Sequence, residues 1–160
     1  MATGDGKSLC YQLPGFVGDG LTIVVSPLIA LMDDQVAALH KRNLPATCIH
    51  SMLTREEREQ RLQSVLDGKI KLLYVTPERF RVGDFLQTMQ KLGVQRLAVD
   101  EAHCLSQWGH DFRPDYQRLG EVRELLGNVP CLALTATATP QVQEDIRAVL
   151  GLEDARLFHT

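Results

Sequence analysis

The stretch 97-LAVDEAHCLSQWG-109 decides how the rest of the sequence is read. It begins as an aliphatic run, ends that run on two adjacent carboxylates, Asp100 and Glu101, and continues into a segment holding the only tryptophan, Trp108. A near-continuous apolar run bounded in this way predicts a strand buried on both faces, the pattern of a parallel sheet. Further runs of the same kind occur at 21-LTIVVS-26, 46-ATCIH-50, 70-IKLLYVT-76 and 131-CLALTA-136, with a weak one at 156-RLFH-159. Helical patterns separate them. Apolar positions 28, 31, 36 and 39 mark a helix over 28–42. A T-x-x-E capping box (Thr54, Glu57) opens a helix that ends on Gly68. Helices are also predicted over 115–127, closed by Gly127, and over 140–151, with Thr139 as N-cap and Pro140 in the first turn. Strands alternating with helices give an α/β domain in three layers around a mostly parallel sheet.

The carboxylate pair acquires a chemical meaning from a second motif. In 2-ATGDGKS-8, Gly4 and Gly6 let the backbone turn tightly, so that successive N–H groups can surround an anion. Lys7 is spaced to reach β- and γ-phosphates, the Ser8 hydroxyl can ligate Mg²⁺, and a helix N-terminus follows. Asp100 and Glu101 then have the layout in which one carboxylate holds Mg²⁺ and the next activates a water. The first glycine of the usual phosphate-loop pattern would fall at Met1, so the strict pattern fails there.

Composition sets the limits. A chain of 160 residues, 44% hydrophobic and 23% charged, is long enough for one domain with a core. No apolar run reaches membrane-spanning length, and no membrane partner is expected. The net charge of −3 gives no global basic footprint, so any nucleic-acid contact must be local. The cysteines at 10, 48, 104 and 131 show no C-x-x-C pair, which points away from zinc and toward small buried side chains in a reducing cytosol. The Arg/Glu run over 54–68 reads as a solvated helix face.

Together, 100-DEAH-103 and 2-ATGDGKS-8 resemble the motor of superfamily-two helicases. In detail the chain resembles the RecQ family of DNA helicases, through KSLCYQLP (7–14), VVSPLIALMDDQV (24–36), YVTPER (74–79), DEAHCLSQWGHDFRPDY (100–116) and LTATAT (134–139). These segments cover nearly the whole chain. The resemblance implies a RecA-like P-loop NTPase fold and a 3′→5′ DNA helicase driven by ATP and Mg²⁺, with roles in DNA repair and recombination. It implies ATP contacts from Thr3, Gly4, Asp5, Gly6, Lys7 and Ser8, metal ligation by Ser8 and Asp100, and catalysis by Lys7, Asp100 and Glu101. His103 would couple the nucleotide site to Thr135 and Thr137. Single-stranded or partly duplex DNA would meet Ser26, Pro27, Thr76 and Arg79, and the loop residues Gln107, Trp108, His110, Phe112 and Arg113. Trp108 and Phe112 offer faces for base stacking and Arg113 a charge for phosphate.

The resemblance also implies absences. Residues 1–160 would be the first RecA-like domain truncated at both ends, without the strand before the P-loop, the second motor domain, or the zinc-binding and winged-helix parts. The location implied is the bacterial cytoplasm at the nucleoid, or a eukaryotic nucleus. Two departures stand out: Asp5 where the family usually has glycine, and His50 where it more often has Asn. Two other readings stay open at this point. One is a module that only binds nucleotide or single-stranded DNA. The other is a DEAD-box-type RNA remodeller, against which stand His103 and the WGHDFRP loop.

Overall fold

The computed structural model describes residues 5–158, with side chains from Gly6 onward; Thr3 and Gly4 of the phosphate loop, the side chain of Asp5, and His159 lie outside the described residues. Five strands form one sheet in the order β2-β3-β1-β4-β5, and all of its pairings are parallel. The strands are β1 (Leu21–Val25), β2 (Ala46–Ile49), β3 (Leu72–Val75), β4 (Val94–Val99) and β5 (Cys131–Ala133). The helices are α1 (Asp5–Val17), α2 (Ile29–Lys41), α3 (Arg55–Leu66), α4 (Phe85–Leu92), α5 (Leu119–Leu125) and α6 (Pro140–Leu150).

Side chains alternate across a strand, so each strand feeds two cores. Val24, Leu72, Tyr74 and Ala98 face Tyr11 of α1 and Met32, Val36 and Leu39 of α2. Ile23, Val25, Leu73, Val75, Leu97 and Val99 face Val65, Met89, Leu119, Val122, Ile146 and Leu150 of the other helices. This is the three-layer arrangement that the continuous apolar runs predict. Gly15 allows α1 to lie close over β3, since a Cβ there would sit 2.9 Å from Leu72.

Local signals account for most boundaries. Thr54 and Glu57 form the reciprocal capping box at α3, and the Thr139 hydroxyl accepts from the Val142 N–H at α6. The segment 115–127 is divided: a 3-10 turn over Pro114–Arg118 precedes α5. α4 was not expected from the sequence, although Phe85 and Met89, one turn apart, bury its inner face. The weak strand at 156–159 does not form over its described part. Residues 156–158 run exposed and unpaired after α6, because two apolar side chains bury too little to hold an edge strand.

The contact between α5 and α6 leaves no room at Gly120, where a Cβ would overlap the carbonyl oxygen of Val149. Neither backbone can yield without moving a helix. Gly120→Ala is therefore expected to lower the unfolding free energy by about 2 kcal/mol, read as a reduced midpoint in urea; an unchanged midpoint would show that the two helices can separate freely.

Candidate functional site

In a parallel sheet the loops leaving the carboxyl ends of the strands converge on one rim, where ligands are held in open α/β folds. Here that rim carries Ser26 after β1, His50 after β2, Thr76 after β3, Asp100 after β4 and Thr135 after β5. The ladder extends past the strands: Asp100 N–H donates to the Val25 carbonyl, Ser26 N–H to that of Val75, and Ala102 N–H to that of Leu134.

Lys7, in the first turn of α1, is buried with its ammonium 3.3 Å from Glu101 Oε1 and 3.8 Å from Asp100 Oδ1. The elements supplying these charges lie 94 residues apart in sequence. Asp100 is itself buried, and that burial pushes its carboxyl above the ordinary value, against the opposing pull of Lys7 and of the Glu101 N–H. Glu101 is one of few non-glycine residues with left-handed backbone, at φ 51°. An Asp100 side-chain oxygen accepts its N–H at 2.9 Å, and buried Tyr116 donates its hydroxyl to the Asp100 carbonyl at 3.0 Å. These bonds hold a backbone conformation that carries a cost, a feature that clusters at working sites.

Glu101 also meets His103, whose Nδ1 lies 3.5 Å from Glu101 Oε2 and 2.8 Å from Thr135 Oγ1. Thr135 spends its single proton on the Thr137 carbonyl, so His103 Nδ1 is the donor in this pair. Burial first, and then the neighbouring His110, lower the His103 pKa and favour the neutral ring. The two imidazoles stack with centroids 4.2 Å apart.

The loop after His103 divides into held and free parts. Trp108 is 74% exposed and Gln107 and His110 are also exposed, whereas Phe112 is half-buried. An indole left in solvent is not a plug over the core. Arg113, expected to offer a free charge, is paired with Asp111 at 3.2 Å. Gly109 permits the turn, since a Cβ would come 2.5 Å from the His103 carbonyl oxygen.

Further along the rim, Ser26 Oγ and Arg79 Nε are buried without a hydrogen-bond partner among the described residues. Burial, and then the charge of Arg58, depress the Arg79 pKa. Buried polar groups are paired in the great majority of cases, so these two keep hydrogen-bonding capacity for a water or a ligand. Thr76 is buried beside them, and Pro77 begins the 3-10 turn Pro77–Arg81 that carries Arg79. Pro27 links Ser26 to α2.

His50 belongs to a separate cluster with Asp33 and Cys48. Its Nδ1 accepts from the Met52 N–H, which places the ring proton on Nε2, 3.0 Å from Asp33 Oδ1. Cys48, its thiol pushed up to about 11 mainly by burial, donates to the same oxygen. The cluster is closed by its own hydrogen bonds. Tyr116, Ser106 and Asp145 are the rim residues that sequence reasoning missed. Tyr116 stood inside the motif segment but reads as core, and Asp145 reads as one more polar residue on a solvated helix.

Comparison with known proteins agrees with this geometry. Residues 1–146 match the DEAD/DEAH box helicase family. The chain is 53% identical over 159 residues to the mouse ATP-dependent DNA helicase Q5, covering 96% of this chain and 16% of that protein. It is 47% identical over 158 residues to the ATP-dependent DNA helicase RecQ of Haemophilus influenzae, covering 99% and 26%. The chain thus spans well under half the length of these relatives. Among solved structures, the Pyrococcus furiosus Hef helicase domain aligns with a TM-score of 0.66 at 21% identity over 95% of this chain and 33% of that one. The helicase MrfA bound to DNA and AMPPNP aligns with a TM-score of 0.69 at 17% identity over 94% and 23%. These two likenesses concern the fold, which is RecA-like. The chain belongs to the DEAD/DEAH box helicase family, and its curated relatives place it among the RecQ-type helicases.

Proposed function

We propose that this domain is the ATP-binding half of an ATP-dependent DNA helicase motor, holding ATP and Mg²⁺ at the Lys7–Asp100–Glu101 cluster and single-stranded DNA along the adjoining rim. The observation that carries the reading is the buried Lys7 ammonium facing two carboxylates at the carboxyl end of β4. An ammonium has three donors, and Lys7 makes one hydrogen bond, at 3.3 Å, to Glu101 among the described residues. It retains capacity for an anion.

The donor set also fits Mg²⁺, since the Ser8 hydroxyl and the Asp100 carboxylate are hard oxygen ligands. Mg²⁺, when bound, neutralises charge on the phosphate oxygens and on the leaving group. Lys7 adds fixed positive charge on the same groups, and the α1 N-terminus adds its partial charge. Glu101, pinned by its backbone beside Lys7 and His103, is placed to accept a proton from an attacking water. His103 links that carboxylate to Thr135, so a shift at either end is felt at the other. Thr3, Gly4, Asp5 and Gly6 complete the phosphate loop in this reading.

DNA recognition rests on the orphaned Ser26 and Arg79 groups, with Pro27 and Thr76 beside them, for phosphate, and on exposed Trp108 for a base. Gln107, His110, Phe112 and Arg113 would complete the loop's DNA face. The strand polarity, 3′→5′, the second motor domain, the zinc-binding and winged-helix parts, and roles in repair and recombination at the nucleoid or in a nucleus belong to the same proposal and rest on the resemblance of the sequence motifs alone. An RNA remodeller finds no comparable support.

Two experiments on the full-length protein test the two halves of the proposal. Glu101→Gln keeps the shape and removes the base; it is expected to bind Mg·ATP normally while turnover falls by about 10²–10⁴. Turnover unchanged in the folded variant would remove Glu101 from the reaction. Trp108→Ala is expected to leave basal ATP hydrolysis intact and to raise the single-stranded DNA concentration for half-maximal stimulation, one stack being worth about 1–3 kcal/mol. Stimulation by DNA at wild-type concentrations would place the DNA elsewhere, and a preference for RNA in the same assay would reverse the choice of substrate.

A further inference from the structure

The exposed face of the Trp108 loop stands on a buried root. Ser106 is completely buried, and its hydroxyl makes two hydrogen bonds: it accepts from the Trp108 backbone N–H at 3.1 Å and donates to Asp145 Oδ2. Asp145 lies on α6, 39 residues further along the chain. Its other oxygen accepts from Gln141 at 3.2 Å, so both carboxylate oxygens are engaged. The Ser106 backbone is fixed as well, with its N–H on the His103 carbonyl and its carbonyl receiving the Gly109 N–H. The tryptophan is therefore anchored by its main chain while its indole stands 74% in solvent.

We propose that Asp145 is a positioning residue for the Trp108 loop, acting through the Ser106 hydroxyl. α6 follows directly on the 134–139 segment, so this segment and its helix grip the approach to Trp108 at two points. Thr135 holds His103 at the loop's start, and Asp145 holds Ser106 beneath Trp108. A serine hydroxyl that both accepts and donates transmits the carboxylate's position to the Trp108 backbone with one intervening group. A carboxylate acceptor makes that bond stronger than a neutral one would. Displacement of Trp108 by a bound base is then felt at α6, and displacement of α6 by the nucleotide side re-aims Trp108. The inference rests on the reading of Trp108 as a DNA contact.

The single tryptophan supplies a direct probe, since excitation beyond the absorption of the three tyrosines reports on Trp108 alone in the 160-residue chain. In Asp145→Ala, the emission anisotropy is expected to fall and acrylamide quenching to rise, with far-ultraviolet circular dichroism unchanged. In the full-length protein the same variant is expected to need about tenfold more single-stranded DNA for half-maximal stimulation, about 1.4 kcal/mol, at unchanged basal turnover. Asp145→Asn, which keeps an oxygen for the Ser106 hydroxyl, is expected to restore most of both properties, and a merely space-filling role for Asp145 would not require this. Should Asp145→Ala fail to fold, Gln141→Ala, at an exposed position, removes the second support of the carboxylate and must move anisotropy in the same direction by a smaller amount. Wild-type anisotropy and DNA response in folded Asp145→Ala, or wild-type anisotropy in Gln141→Ala if the first is unfolded, would overturn the proposal. The Trp108→Ala control separates the two levels: if it lowers DNA response and Asp145→Ala does not, only the positioning role fails; if neither does, the DNA contact itself fails.

Discussion

The contact between the Lys7 ammonium and the Asp100–Glu101 carboxylates organises the carboxyl edge of the sheet. It joins the first helical turn of α1 to the end of β4, at a depth where Lys7 and Asp100 are both buried. Charges at such a depth are costly unless paired, and removing one partner strands the others. One positive charge faces two carboxylates there, and burial, more than the neighbouring Glu101 charge, raises the pKa of Asp100. In the function proposed above, the ligand would bring phosphate to the lysine and a cation to the carboxylates.

The same edge explains how two chemistries share one small domain. Because all the strands run parallel, their ends deliver Thr76, Ser26, Asp100 and Thr135 side by side in the order of the sheet. The β4–β5 side carries the charged cluster. The β1–β3 side carries the unpartnered Ser26 and Arg79 groups. The segment from Glu101 to Trp108 leads away from the charged cluster, fixed through His103 to Thr135 and through Ser106 to Asp145. Rigid attachment at two points allows a short loop to pass a displacement on, where a free loop would absorb it.

Much of this was legible from residue order. The apolar runs at 21–26, 46–50 and 96–101 announced buried parallel strands, because both faces of each are covered. The carboxylate pair and the lysine announced their meeting, because few other roles place such residues at a strand end and a helix start. The departures have physical causes. The ion pair of Arg113 with Asp111, two residues before it, is a local contact that the motif does not announce. Leu157 and Phe158 look like a strand in composition, yet they have no neighbour to pair with. Asp145 was invisible because its partner, Ser106, is remote in sequence and nothing in a polar helix distinguishes one carboxylate from the next. Such tertiary hydrogen bonds leave no periodic signal, whereas burial does.

The most direct measurement is calorimetric titration of Mg·ATP into the 160-residue chain and into its Lys7→Ala variant, with folding of both followed by circular dichroism. Binding by the chain that is lost in the folded variant is the expected result, since the variant lacks the buried ammonium beside Asp100 and Glu101. Equal affinity in the two proteins would contradict the assignment of the Lys7–Asp100–Glu101 cluster as the nucleotide site.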